Sequence, residues 1–170
     1  MADADVLVVG GGPAGSVAAI LLARAGARVH LLDRASFPRR KLCGDSLNPG
    51  ALSVLRRLRI PLPEGEGTPV RGMLVSGHSH PVTRAAAGGD GAQAGTPRPT
   101  RVTVIEGRYP DALFGLMLSR ERLDSFLLTL AADAGVTVDT GVTALAPRVI
   151  DTRAGRRVHG VDVQTSGGRR

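Results

Sequence analysis

Cysteine is almost absent from this sequence. Cys43 is the only one in 170 residues, so no internal disulfide framework is possible, and a reducing compartment such as the cytoplasm is expected. Aromatic residues make up 2% of the chain, and there is no tryptophan. A base-stacking platform therefore cannot be assembled, and nucleic acid is not expected as a partner despite the net charge of +7. The positive charge is carried by scattered arginines, with Lys41 as the single lysine. It leaves an anionic ligand or a membrane surface compatible. No apolar run approaches the ~20 residues that a membrane-spanning helix needs. The first residues lead into a short apolar strand, not into a basic region with a long apolar core, so a secretory leader is not expected. What remains, with 42% hydrophobic residues and a mean hydropathy of +0.05, is a globular chain long enough for one domain with a real core.

The most informative stretch is Asp5 to Asp33, DVLVVGGGPAGSVAAILLARAGARVHLLD. Val6 to Val9 suits a buried parallel strand. Gly10-Gly11-Gly12-Pro13-Ala14-Gly15 then satisfies G-x-G-x-x-G. Val17, Ile20, Leu21 and Ala25 follow at helical spacing, and Gly26 stops the helix. Val29 to Leu32 forms a second strand, closed by Asp33.

Each glycine has a chemical reason. Gly10 permits the tight turn, Gly12 admits a pyrophosphate to the backbone, and Gly15 lets the helix pack on the strand. The helix N-terminus offers unpaired N–H groups and a partial positive charge to phosphates. Asp33 lies 18 residues after Gly15, near the roughly 20 expected of a carboxylate that bonds a ribose hydroxyl. Such an acid disfavours a 2′-phosphorylated dinucleotide. A glycine turn in an ordinary βαβ unit is the alternative, but both strands, the helix and the acid occur in order.

Beyond Asp33, residues 34–47 have no periodicity and are expected to form an ordered loop. Asn48 caps a helix that begins at Pro49 and runs to about Leu58. Val70–Val75 and Ser79–Thr83 suggest two strands around Gly77. Residues 85–99 are low in complexity and suggest a surface loop. Val102–Ile105 resumes a strand. Ser119 caps a second long helix with Leu123, Phe126, Leu127, Leu130 and Ala131 as its apolar face, stopped by Gly135. A strand at Val136–Val138 precedes a hairpin of Val142–Ile150 and Arg157–Val163 around Ala154-Gly155. The fold expected is α/β: a Rossmann-like parallel start with a small antiparallel β-layer. His78 and His80 share a strand face without an evident third ligand, so no metal site is expected.

Two further segments carry a resemblance. Asp33-Arg34 is followed by FPRRKLCGDSLNPGAL, in which Pro38, Arg39, Lys41, Cys43 and Gly44 fit a Pro-Arg-x-Lys-x-Cys-Gly pattern. Arg120 to Ala131, RERLDSFLLTLA, fits Arg-x-x-Leu-Asp-x-x-Leu and leads to Gly135-Val136. These segments resemble the N-terminal part of FAD-dependent oxidoreductases of the geranylgeranyl reductase type, within the para-hydroxybenzoate hydroxylase-like superfamily.

The resemblance implies FAD as resident cofactor, with NAD(P)H as a transient electron donor, and a lipid-like or aromatic small molecule as substrate. It places Gly10, Gly12, Pro13, Ala14 and Gly15 on the pyrophosphate and Asp33, followed by Arg34, at the adenosine ribose. Arg39 would lie along the ribityl–pyrophosphate portion, with Arg120 approaching from the other side. Cys43 is either near the flavin ring or, the favoured alternative, a small buried residue in a tight loop. Asp124 is expected to be structural. No catalytic residue is assigned. The family's second FAD segment, an apolar strand ending in Gly-Asp, and its later Asp-Gly strand have no convincing counterpart.

The chain is therefore expected to be the N-terminal portion of a larger flavoenzyme, lacking a substrate domain that a partner chain could supply. A lipid substrate would bring peripheral membrane contact. A flavin-dependent monooxygenase or halogenase and a non-catalytic nucleotide-binding module are the alternatives.

Overall fold

The computed structural model describes residues 4–43, 45–79, 101–153, 155–165 and 167–169. Its centre is a parallel sheet of β1 (Val6–Val9), β2 (Val29–Asp33) and β8 (Thr137–Thr140), in the order β1-β2-β8. Val8 pairs with Leu31 on one side, and Leu31 with Val138 on the other. β2 is thus the central strand, with Val29, Leu31 and Leu32 buried and His30 only partly covered.

Two helices cover one face. α1 (Pro13–Arg24) and α3 (Arg120–Asp133) pack on each other, α1 on β2 and α3 on β8. Ile20, Leu31, Leu123 and Leu127 are fully buried there, with Ala19 and Ala131 between them. The helices end at Gly26 and Gly135 as expected. Arg24 ties the end of α1 to its neighbour α2 (Pro49–Arg57) by donating to the Leu58 carbonyl at 3.1 Å. Asn48 caps α2, its side-chain oxygen accepting from Ala51 N–H at 2.8 Å, and Ser119 caps α3 through Arg122 N–H at 3.3 Å.

Three antiparallel units surround this core. A small sheet has the order β3-β7-β4, from Ser46–Leu47, Gly115–Met117 and Thr68–Val70. β5 (Gly72–Ser79) and β6 (Arg101–Arg108) make a two-stranded ribbon. β9 (Thr143–Thr152), β10 (Gly155–Thr165) and β11 (Gly168–Arg169) form the third unit. The α/β class and the parallel start are as the sequence implies, but β1 is not the buried strand expected: it ends the order of its sheet, and Leu7 and Val9 are exposed.

Several local expectations are corrected. β3, β7 and β11 lie outside every strand that was expected, and the expected Val70–Val75 strand is divided at Arg71 between the end of β4 and the start of β5. Gly77 does not break a strand: β5 runs through it, and Gly77 pairs with Thr103. A side chain at Gly77 would meet open space, so the glycine is tolerated, not required. The apolar face of α3 is rotated from the one expected. Its buried set is Leu123, Asp124, Leu127, Leu128 and Ala131, whereas Phe126 and Leu130 are only partly covered. A carboxylate on the inward face was not anticipated. The low-complexity stretch 85–99, His80 and most of the expected Ser79–Thr83 strand lie outside the described residues. Among the described residues, no cluster of three or more metal-ligating side chains occurs, and no helix is long and apolar enough to cross a membrane.

Candidate functional site

The C-terminal ends of β1 and β2 and the start of α1 open onto one cleft of about 860 Å³. Its glycine turn is fixed by two close approaches. Gly10 has φ +109°, a conformation that side chains rarely adopt, and its N–H donates to the Leu32 carbonyl at 2.7 Å. A Cβ on Gly15 would sit 1.9 Å from the Gly10 carbonyl oxygen, so no other residue fits without moving the turn. No side chain caps the N-terminus of α1, and no acid lies in its first turn. Its first N–H groups and its partial positive charge therefore face the cleft uncompensated.

Asp33 is placed where the sequence puts it, at the end of β2 and on the cleft wall. Its carboxylate also has a duty that spacing did not disclose. One oxygen accepts from Gly11 N–H at 2.6 Å and the other from Ala35 N–H at 2.8 Å. The acid thus clamps the glycine turn to the loop after β2.

Arg39 and Arg120 come together from distant parts of the chain. Both converge on Asp124, which is fully buried. Arg120 holds it side-on through Nε at 2.8 Å and Nη2 at 2.9 Å, and Arg39 Nη2 lies 3.2 Å from the same carboxylate. A Cβ placed on Gly12 would be 3.5 Å from Nη2 of each arginine. The two guanidiniums therefore stand over the bare backbone of Gly12. Arg39 also stacks on Phe37, 5.0 Å from the ring centre. Its Nε is buried without a hydrogen-bond partner. Asp124 is the main reason the Arg120 guanidinium holds its proton more tightly than usual, with a smaller contribution from Cys43.

The loop that carries Arg39 is tethered by Asp45. Its carbonyl accepts from Leu118 N–H at 2.8 Å, and its carboxylate from Arg120 N–H at 3.1 Å. Asp45 has φ +47°, a left-handed conformation that Asp tolerates better than most residues; Gly44 lies outside the described residues. Arg34, Arg40, Lys41 and Leu42 form the outer rim. Cys43 is exposed, which corrects the expectation of a small buried residue. Its thiol sits close enough to influence Arg120. Val142, Thr143 and Ala144 at the start of β9 also line the cleft. They carry no motif, and nothing in the sequence marks them.

An open glycine cradle, an uncapped helix start and two guanidiniums with an unsatisfied buried N–H form a donor set for a diphosphate. Comparison with known proteins points the same way. The chain is 36% identical over 144 residues to menaquinone reductase of Mycobacterium tuberculosis, covering 85% of this chain and 30% of that protein. A flavin-dependent halogenase of Armillaria mellea is 52% identical over 52 residues, covering 31% of this chain and 10% of its own length. The crystal structure of a geranylgeranyl bacteriochlorophyll reductase-like protein from Thermoplasma acidophilum superposes with a TM-score of 0.66 at 25% identity, covering 98% of this chain and 36% of that one. This chain thus spans about a third of the length of these two reductase-type proteins. Residues 3–145 match the FAD binding domain family; the chain belongs to that family, and FAD is its cofactor.

Proposed function

We propose that this chain forms the dinucleotide-holding part of a FAD-dependent oxidoreductase of the geranylgeranyl reductase type. The observation that carries the proposal is the meeting of Arg39 and Arg120 over Gly12. Gly10, Gly12, Pro13, Ala14 and Gly15 receive the diphosphate, with the start of α1 supplying N–H groups. Asp33 and Arg34 take the adenosine end. Arg39 and Arg120 neutralise the phosphates, and Cys43 lies at the open side of the cleft. When bound, FAD supplies the hydride chemistry, while these residues bind and orient it.

The substrate proposed is a lipid-like or aromatic small molecule. The names of the Mycobacterium tuberculosis and Thermoplasma acidophilum relatives support a lipid-like one. NAD(P)H is the proposed electron donor. The proposal places residues 1–170 as the N-terminal portion of the FAD domain, acting in the cytoplasm with further segments or a partner chain that complete the flavin and substrate walls. A lipid substrate would add contact with a membrane surface. A flavin-dependent halogenase is the alternative: a curated halogenase matches under a third of this chain, and solved halogenases share its fold nearly throughout.

The test is retention of flavin. Purified protein is incubated with FAD, freed of excess ligand and examined for the visible flavin bands. Retention by the native chain and loss in Gly12→Glu, which places a carboxylate between the two arginines, is the expected result. A folded protein that retains no flavin, or a Gly12→Glu variant that retains as much, would overturn the proposal.

A further inference from the structure

We infer that Asp124 is the positioning residue of the diphosphate site, joining Arg39 and Arg120 into a single two-armed anion receptor. The inference rests on the site proposed above. It adds that the two arginines work as one unit, set by a carboxylate that never touches the ligand.

A fully buried carboxylate has to be paired. Asp124 has two partners where one would neutralise it, and they come from different elements. Arg120 lies one turn before it on α3 and grips it side-on. Arg39 reaches it from the loop after β2. The nearest alternative acid for Arg39 is Asp33, at 3.9 Å, and both its oxygens already accept backbone N–H groups. The arginines and Asp124 together therefore carry a net positive charge at Gly12. Without the shared carboxylate, two like charges that can both approach one point within 3.5 Å would repel and turn outward. With it, their positions are set before an anion arrives, which removes part of the ordering cost of binding. The buried Nε of Arg39, which has no partner, is held in place by the same anchor.

Two arginines that contacted the ligand independently would contribute separately to affinity. Arginines set by one carboxylate would not. The experiment measures the FAD dissociation constant, by quenching of flavin fluorescence, for the full chain and for Arg39→Gln, Arg120→Gln and the double variant, each with Asp124 or with Asp124→Asn. Asp124→Asn is expected to weaken FAD about tenfold, and on that background each arginine change should cost less than about threefold, against about tenfold on the native one. Equal arginine costs on the two backgrounds would overturn the inference.

If Asp124→Asn fails to fold, as judged by circular dichroism, the arginine pair alone decides with Asp124 intact. The double change should depart from the product of the single changes by about threefold or more, and a simple product would overturn the inference. Gly12→Glu separates the two levels. If it leaves the FAD constant unchanged, the diphosphate site itself is wrong and the inference falls with it. If it abolishes binding while the arginine effects multiply, only the positioning role falls.

Discussion

The nucleotide-binding core and the β5–β6 ribbon are built from the same kinds of apolar residues and end in opposite states. In the core, Ile20, Leu31, Leu123 and Leu127 are excluded from water by elements more than 90 residues apart in sequence. In the ribbon, Met73, Val75 and Ile105 lie on one face and remain more than half exposed, as does Leu74 on the other. Among the described elements, the ribbon's only extensive contacts are between its own two strands. Backbone pairing alone gives it shape, and a two-stranded ribbon without a packed face is marginal in water. Secondary structure and burial are thus separable in this chain. The inner wall of the cleft belongs to the packed region, where side chains such as Asp124 can be held against their own solvation.

The largest expected way to break the contrast is Gly15→Val. Its Cβ would collide with the Gly10 carbonyl at 1.9 Å, and a backbone atom cannot step aside as a side chain can. Loss of the cooperative urea transition and of flavin retention is expected together.

Truncations sharpen the comparison directly. Leu127→Ala removes a fully buried side chain and is expected to cost about 2–5 kcal/mol. Ile105→Ala, at a site 65% exposed, is expected to stay within about 0.5 kcal/mol. Urea melts of the two variants test this, and equal costs would show that the ribbon is packed in solution.

The smallest effect concerns the rim of the core. Arg28 holds the Asp5 carboxyl down at about 2, from an ordinary 3.8, mainly by a side-chain hydrogen bond. Because the folded value is the lower one, the pair's contribution is complete above about pH 4. It is lost as the pH falls through about 2. The carboxyl is fully exposed, so the effect on stability is small. An NMR titration of Asp5 should show the low midpoint in the native chain and a return toward the ordinary value in Arg28→Ala.

What the sequence disclosed follows the same division. α1, α2, α3, β1 and β2 were legible because each carries its own signal: helical spacing with a cap, or an apolar run between turns. The glycine motif was legible because backbone geometry at Gly10 and Gly15 restricts residue choice locally. β3, β4 and β7 were not legible. They have two or three residues each, too few for periodicity, and they exist because Leu116 can pair with both Leu47 and Pro69. Arg39 and Arg120 were named from a pattern. Asp124 was expected from the same pattern to be structural, but that Arg39 and Arg120 both meet on it was hidden, because Arg39 lies more than 80 positions away on a loop without periodicity. Thr143 reaches the cleft only through the path of β9, which no residue type announces.

The pairing of β2 with β8 has a consequence in time. His30 lies opposite Thr137, 107 positions later, so the central strand cannot gain its second neighbour until most of this chain has been synthesised. The ribbon from β9 to β10 closes over a far shorter loop and can form as soon as it emerges. Contacts of long sequence separation slow folding because the chain entropy is spent before the contacts form. The first strand, turn and helix would therefore wait, with Arg120 and Asp124 still to come, and the receptor for the diphosphate would assemble only after the glycine turn that begins it had long been made.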